Sequence, residues 1–327
     1  MKNSISLFVC IVALLAVLAN CGDPKPKPSD PKIDPASSST FSPVKMPSSL
    51  PGMTGWKFPE DSVTVDRWIS QNDTKAIYQH AWGVWDALTS PSGEKFNKET
   101  LLVFETWYTP EDVQNILTTS LTNISNRPRH NFQPLNQLAH GEPESEAADV
   151  VGFVKWDPTA SDHIIKNKLL FQSTLDGMQK SMDGKNAKMI PEFPNTAVAL
   201  KPVFQNLSQL SKTNGLFWLQ AWPGSPATPQ PFDPTKWGQY IFVDVNNKGA
   251  TNNTGTTTDT LSPTPNATYG LGDFIHFQLD STMAAELGPG NNVGDYMILL
   301  AMHITTKETK RWTWQTMFWS NNPAQAL

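Results

Sequence analysis

Hydrophobic positions along this chain recur first at helical and then at strand spacing. Ile77, Ala81, Val84, Trp85 and Leu88 fall three and four residues apart, the stripe of a helix packed on one side, and Asp73 stands where its cap belongs. Asp61-Ser62 opens a shorter helix over Val65, Trp68 and Ile69. Residues 100–108 (TLLVFETWY) are rich in strand formers. They run into Thr109-Pro110-Glu111-Asp112, where a hydroxyl cap, a proline in the first turn and two acids start a helix. Residues 123–148 are polar and proline-broken, which predicts a long loop. Residues 149–156 (DVVGFVKW) predict a strand. Ser161 then opens a helix whose Ile164, Phe171, Leu175, Met178 and Met182 form one stripe, a core contact rather than a cofactor contact.

The second half is dominated by strand patterns at 196–207, 215–222, 239–246, 273–279, 294–306 and 311–320. The last two are joined by Lys307-Glu308-Thr309-Lys310, a polar turn of hairpin length. The stretches 223–234 and 246–269 are rich in Pro or in Asn, Thr and Gly and predict surface loops. Few helices separate these strands, so the pairing is expected to be mostly antiparallel. The fold class is α+β, with helices concentrated in the N-terminal half.

The N-terminus follows a different logic. Lys2 precedes about 15 apolar residues, the n- and h-regions of a signal peptide, and this run is shorter than the roughly 20 residues that span a bilayer. Leu18-Ala19-Asn20-Cys21 resembles the lipobox of bacterial lipoproteins, with Asn20 where a small residue is usual. The resemblance implies a signal peptide over 1–20 and lipidation of Cys21. The rival reading is cleavage after Ala19, which leaves Cys21 as a lone thiol in a secreted chain. Residues 21–51 alternate proline with charge and serine and predict a disordered tether. One globular domain is expected over 52–327.

Composition narrows the function classes. The chain has 327 residues, a net charge of −5, 27 Pro and 12 Trp. Mild acidity argues against nucleic acid as a partner. No cysteine follows position 21, so the domain has no disulfide, thiolate metal site or cysteine nucleophile. The chain contains no GxSxG, HExxH, glycine-rich phosphate loop or Ca²⁺ loop, and Gly288-Pro289-Gly290 is a turn. Glu142-Pro143-Glu144-Ser145-Glu146 lacks glycine-spaced ligands and predicts a solvated loop.

The most distinctive segment is residues 301–307 (AMHITTK) followed by Arg311-Trp312-Thr313-Trp314-Gln315-Thr316-Met317-Phe318-Trp319. Together with Phe104-Glu105-Thr106-Trp107, it resembles a poorly characterised bacterial envelope family often labelled cytochrome c-like, whose members carry a similar Trp-Thr-Trp hairpin. Some members continue into a CxxCH haem site. This sequence has none, so no covalent haem and no other cofactor is expected. The resemblance implies a shared fold and a cell-envelope location, outer membrane or periplasmic face, with the membrane as partner through lipid on Cys21.

Two functions remain. One is a binding or accessory module whose aromatic residues line a groove for a small molecule, glycan or peptide. The other is an envelope hydrolase or redox-associated enzyme with its site on a sheet face. Its candidate residues follow from strand alternation. In 273–279, Ile275, Phe277 and Leu279 form an apolar set that leaves His276 on the other side. In 294–306, Leu300, Met302 and Ile304 leave His303 on the other side. Glu105 and Lys201 are ionisable groups inside apolar strand patterns. If the two strands pair, His276, His303 and Glu105 suit a two-histidine, one-carboxylate metal site, and with Lys201 they suit acid–base chemistry.

Overall fold

The computed structural model describes residues 40–124, 127–132, 150–180, 190–224 and 236–322, all within one compact unit, Ser39–Leu327. The expected signal segment, Cys21, the first part of the tether, the acidic run 142–146, Met182 and residues 225–234 of the proline-rich loop lie outside the described residues. Among the described residues no helix is long and apolar enough to cross a membrane.

Packing begins before residue 52. Phe41 is 2% exposed and meets the Phe96 ring edge-on at 5.9 Å. The Val44 N–H donates to Thr106 Oγ1 at 2.9 Å, and its carbonyl accepts from Trp107 Nε1 at 2.8 Å. Residues 41–51 are therefore not free tether. One aromatic in a proline–serine stretch suffices to dock it once a partner surface exists.

The helices start where their caps predict. In α1 (Ser62–Ser70) and α2 (Thr74–Thr89), Asp61 and Asp73 accept from Thr64 N and Ala76 N. After the hairpin β1 (Pro91–Phe96) and β2 (Glu99–Leu102) comes α3 (Pro110–Thr119), where Thr109 and Asp112 bond each other's backbone reciprocally. Two expectations are corrected. Residues 100–108 are not one strand, because β2 ends at Leu102 and Phe104–Thr106 make a 3-10 turn. The helix expected from Ser161 starts earlier and is two helices, α4 (Pro158–Lys166) and α5 (Gln172–Lys180). The chain turns between them at Lys168, whose φ is +52°. The cap of α4 is Asp157, which accepts from Thr159 N, Ala160 N and Val198 N.

The remaining strands are β3 (Val150–Gly152), β4 (Lys155–Trp156), β5 (Val198–Asn206), β6 (Lys212–Thr213), β7 (Leu216–Gln220), β8 (Tyr240–Asp244), β9 (Thr268–Gly270), β10 (His276–Gln278), β11 (Tyr296–Thr306) and β12 (Thr313–Phe318). A short helix, α6 (Ser281–Leu287), is the exception to the N-terminal concentration of helices. The main sheet runs β10-β11-β5-β3, with β12 also beside β11 and β4 also beside β5. A second sheet runs β6-β7-β8-β9. All pairs are antiparallel except β8 with β9. The fold is α+β.

The main sheet buries both faces unequally. Its inner face places Val198, Leu200, Phe204, Met297, Leu299, Met302 and Ile304 in the largest core, with Val84, Leu88 and Trp107. On its outer face, Ile298 joins Phe217, Leu219, Ile241 and Val243 of the second sheet. A bulge between Leu299 and Ala301 divides the two regimes. Before it the odd-numbered residues of β11 face the inner core, and after it the even-numbered ones do. A strict period of two across 294–306 therefore misassigns Leu299 and Leu300, because one extra residue resets the alternation.

Candidate functional site

Glu105, expected on a strand, sits in the 3-10 turn and is 1% exposed. Around it lies a buried ionic cluster drawn largely from the segment expected to be a polar loop. Arg129 Nε donates to Glu105 Oε1 at 2.9 Å and its Nη1 reaches Glu99 at 2.5 Å. Arg127 donates to the carbonyls of Thr106 and Trp107 and pairs with Asp112 at 3.3 Å. Its guanidinium lies between the Phe41 and Tyr108 rings at 4.3 and 4.6 Å. Lys155, 0% exposed, donates to the carbonyls of Glu105, Trp107 and Arg129 at 2.5, 3.2 and 2.9 Å. An ammonium has three donors, and all three are used.

This chemistry is structural. The turn at 104–107 leaves carbonyls that no strand or helix accepts into its ladder, and buried carbonyls need partners. Lys155 and Arg127 supply them. Burial raises the Glu105 carboxyl, but Arg129, His130 and the Leu102 N–H outweigh it and hold the pKa at about 2. His130 is fully enclosed, with Phe277, Phe153 and Phe204 ring centroids at 4.5, 4.6 and 5.6 Å. Its Nε2 stands 3.5 Å from Glu105 Oε1, beyond good hydrogen-bond geometry, and Nδ1 has no partner. Burial lowers its pKa to about 3, against the pull of Glu105, so the imidazole is neutral. Sequence reasoning missed Arg127, Arg129, His130 and Lys155. The signal was the Arg127-Pro128-Arg129-His130 run, unusual for a solvated loop in an acidic chain.

The histidine convergence does not occur. β10 and β11 pair as expected, and His276 and His303 both point away from the inner core. His276, however, is opposite Ile298, five residues before His303, a separation of about 15 Å at the usual strand rise. Its Nδ1 bonds the Phe274 carbonyl at 3.0 Å. Among the described residues no three His, Cys, Asp or Glu side chains come within metal-binding reach of one another. Glu105 belongs to the ionic cluster and not to this face.

Lys201 and His303 do come together. They are register partners on β5 and β11, and His303 is opposite Thr316 on β12. His303 Nδ1 and Thr316 Oγ1 are 2.8 Å apart. Burial lowers the His303 pKa and the Lys201 charge lowers it further, while burial alone lowers Lys201. The same face carries Ala199 and Thr305, with Trp314 opposite Thr305. Trp314 is 77% exposed. Phe318, opposite Ala301, packs against Trp222 at 5.0 Å. The second sheet covers only the part of this face before the bulge, so positions 199, 201, 203, 303 and 305 remain half-exposed. The arrangement offers an imidazole, a hydroxyl, an ammonium and an indole, with no carboxylate among the described residues to orient the imidazole.

The polar turn joins β11 to β12 as expected. Lys307, Glu308 and Thr309 are buried. Glu308 accepts from Glu60 N at 2.7 Å and from Thr306 Oγ1 at 2.7 Å, and meets His80 Nε2 at 2.9 Å. The turn is thereby anchored to α2. Elsewhere, a recess of 420 Å³ lies beside α3 and α6, lined by Glu111, Ile124, Phe132 and Glu286 among others. Glu286 already accepts from the Phe132 N–H. Comparison with protein families, curated proteins and solved structures finds no match.

Proposed function

We propose that this protein is a lipid-anchored binding module of the bacterial cell envelope, taking its ligand on the open face of β5, β11 and β12. The observation that carries the reading is Trp314, an indole 77% exposed beside the polar row Lys201–His303–Thr316. A large apolar side chain held in solvent gains nothing for the fold and is suited to stacking on a ligand ring. The enzyme reading required Glu105 beside a histidine on the sheet face, and Glu105 is committed to Arg129 and Leu102 N instead. Envelope anchoring rests on the apolar leader and Cys21.

Tryptophan fluorescence during titration with panels of glycans and peptides tests the face. A ligand that quenches emission should bind Trp314→Ala at least about 10-fold more weakly, the equivalent of roughly 1.4 kcal/mol. Binding indifferent to that substitution overturns the assignment. Labelling with a fatty-acid analogue tests the anchor, and Cys21→Ala should abolish both label and membrane association. Retention of both refutes lipidation at Cys21.

A further inference from the structure

The strands of the open face carry one sign of charge among the described residues, although the chain as a whole is acidic at −5. β5, β11 and β12 contain no Asp or Glu, and Lys201 and His303 are their only Lys, Arg or His residues. The turn adds Lys310 and Arg311, both exposed, while its one acid, Glu308, is buried against His80. Nearby Glu192 is exposed and pairs with Lys307 at 2.5 Å. Lys201 has no hydrogen-bond or ion-pair partner among the described residues. Its ammonium is thus partly shielded from water, with no neutralising acid among the described residues.

Resting on the binding-face reading above, we propose that the ligand is an acidic glycan. A uronate carboxylate pairs with Lys201 beside His303 while a sugar ring stacks on Trp314. Lys201 on β5 and Trp314 on β12 flank β11 and are two residues apart along the strands, about 12 Å between Cα atoms, a gap that the two long side chains narrow to the span of one sugar ring with its carboxylate. Charge-assisted bonds to a carboxylate are the strong class of polar contact. The rest of the Trp314 row is small, Thr305 and Ala199, and leaves room for the face of a sugar ring. Peptide recognition on a sheet relies instead on pockets for alternate side chains.

The test titrates the full chain with galacturonate and mannuronate hexamers, with their neutral methyl esters, and with a poly-glutamate peptide. Calorimetry and tryptophan emission are the readouts, at low and high salt. The acid form should bind at least about 10-fold more tightly than the ester, as expected for a hydrogen bond to a charged group, and should weaken with salt. Lys201→Met should erase that preference by bringing the acid form down to the affinity of the ester, while Trp314→Ala should weaken both. Equal binding of acid and ester, with Trp314→Ala still damaging, overturns the charge inference and leaves the binding face standing. Poly-glutamate bound in place of both uronates overturns the glycan class. If none of the probes binds, the glycan proposal is refuted, and the face itself falls if ligands from the wider panel ignore Trp314→Ala.

Discussion

Lys155 and Lys201 stand on neighbouring strands of one sheet, and their surroundings are opposite. Lys155 on β4 points inward, is enclosed, and donates to three carbonyls of an irregular segment. Burial and the adjacent Arg127 drive its pKa well below that of a free lysine, against the pull of Asp112. Lys201 on β5 points outward onto a half-open face and meets no acceptor among the described residues. The first lysine completes the fold, because it shares with Arg127 the task of supplying donors to the 104–107 turn. The second is expected to contribute little to the fold, and in the proposed reading it keeps its bonding capacity for a ligand. Among the described residues the fully buried charges are bonded, and in the proposed reading the unbonded Lys201 is where a ligand pairs.

Substitution of the two lysines breaks or sharpens that contrast most strongly. Lys155→Met strands the buried Glu105 and Arg129 carbonyls, leaves that of Trp107 to Arg127 alone and unbalances a buried ionic group, and should cost about 3–5 kcal/mol, read as a lower urea midpoint. A cost below 1 kcal/mol would mean that the carbonyls find other partners and that Lys155 is not their clamp.

Acid should attack the inner cluster next. His130 falls from an ordinary 6.5 to about 3, so between those values the unfolded chain binds the proton and the folded chain refuses it. Stability therefore falls as pH drops through this window, with a slope of up to about 1.4 kcal/mol per pH unit. Glu105, depressed from 4.5 to about 2, acts in the same direction. Its contribution is present above its unfolded value and is lost as pH falls toward 2. Denaturant melts from pH 7 to pH 4 should show the slope, and His130→Leu should flatten it above pH 4.5. An unchanged slope in that variant assigns it to other groups.

The smallest effects belong to the outer face. Lys201→Met and Trp314→Ala should each change stability by no more than about 0.5 kcal/mol in the same melts. A larger loss from either would show that the face is part of the packed structure and would remove the contrast with Lys155.

What could be read from the chain was local. The caps Asp61, Asp73 and Thr109 act within three residues, so their identities suffice. The inward set Met302 and Ile304 and the β11–β12 hairpin follow from alternation and turn length. What could not be read depends on distant partners. Glu105 looked like a strand residue because its partners, Arg129 and Lys155, are 24 and 50 positions away. Glu308 looked like a solvated turn residue until α2 brought His80 to it. On the candidate face, the pairing of Lys201 with His303 needed the register of two strands a hundred residues apart. No pattern within either strand contains that register.

The bulge at Leu300 gives β11 two allegiances. Upstream of it, even-numbered side chains serve the second sheet. Downstream, the same parity serves the main core, and the freed odd positions become the open ledge that holds His303. One residue thus separates a two-faced strand buried throughout from one that carries a surface. Without it, continuous alternation would turn His303 and Thr305 into the apolar core and push Met302 and Ile304 out to water.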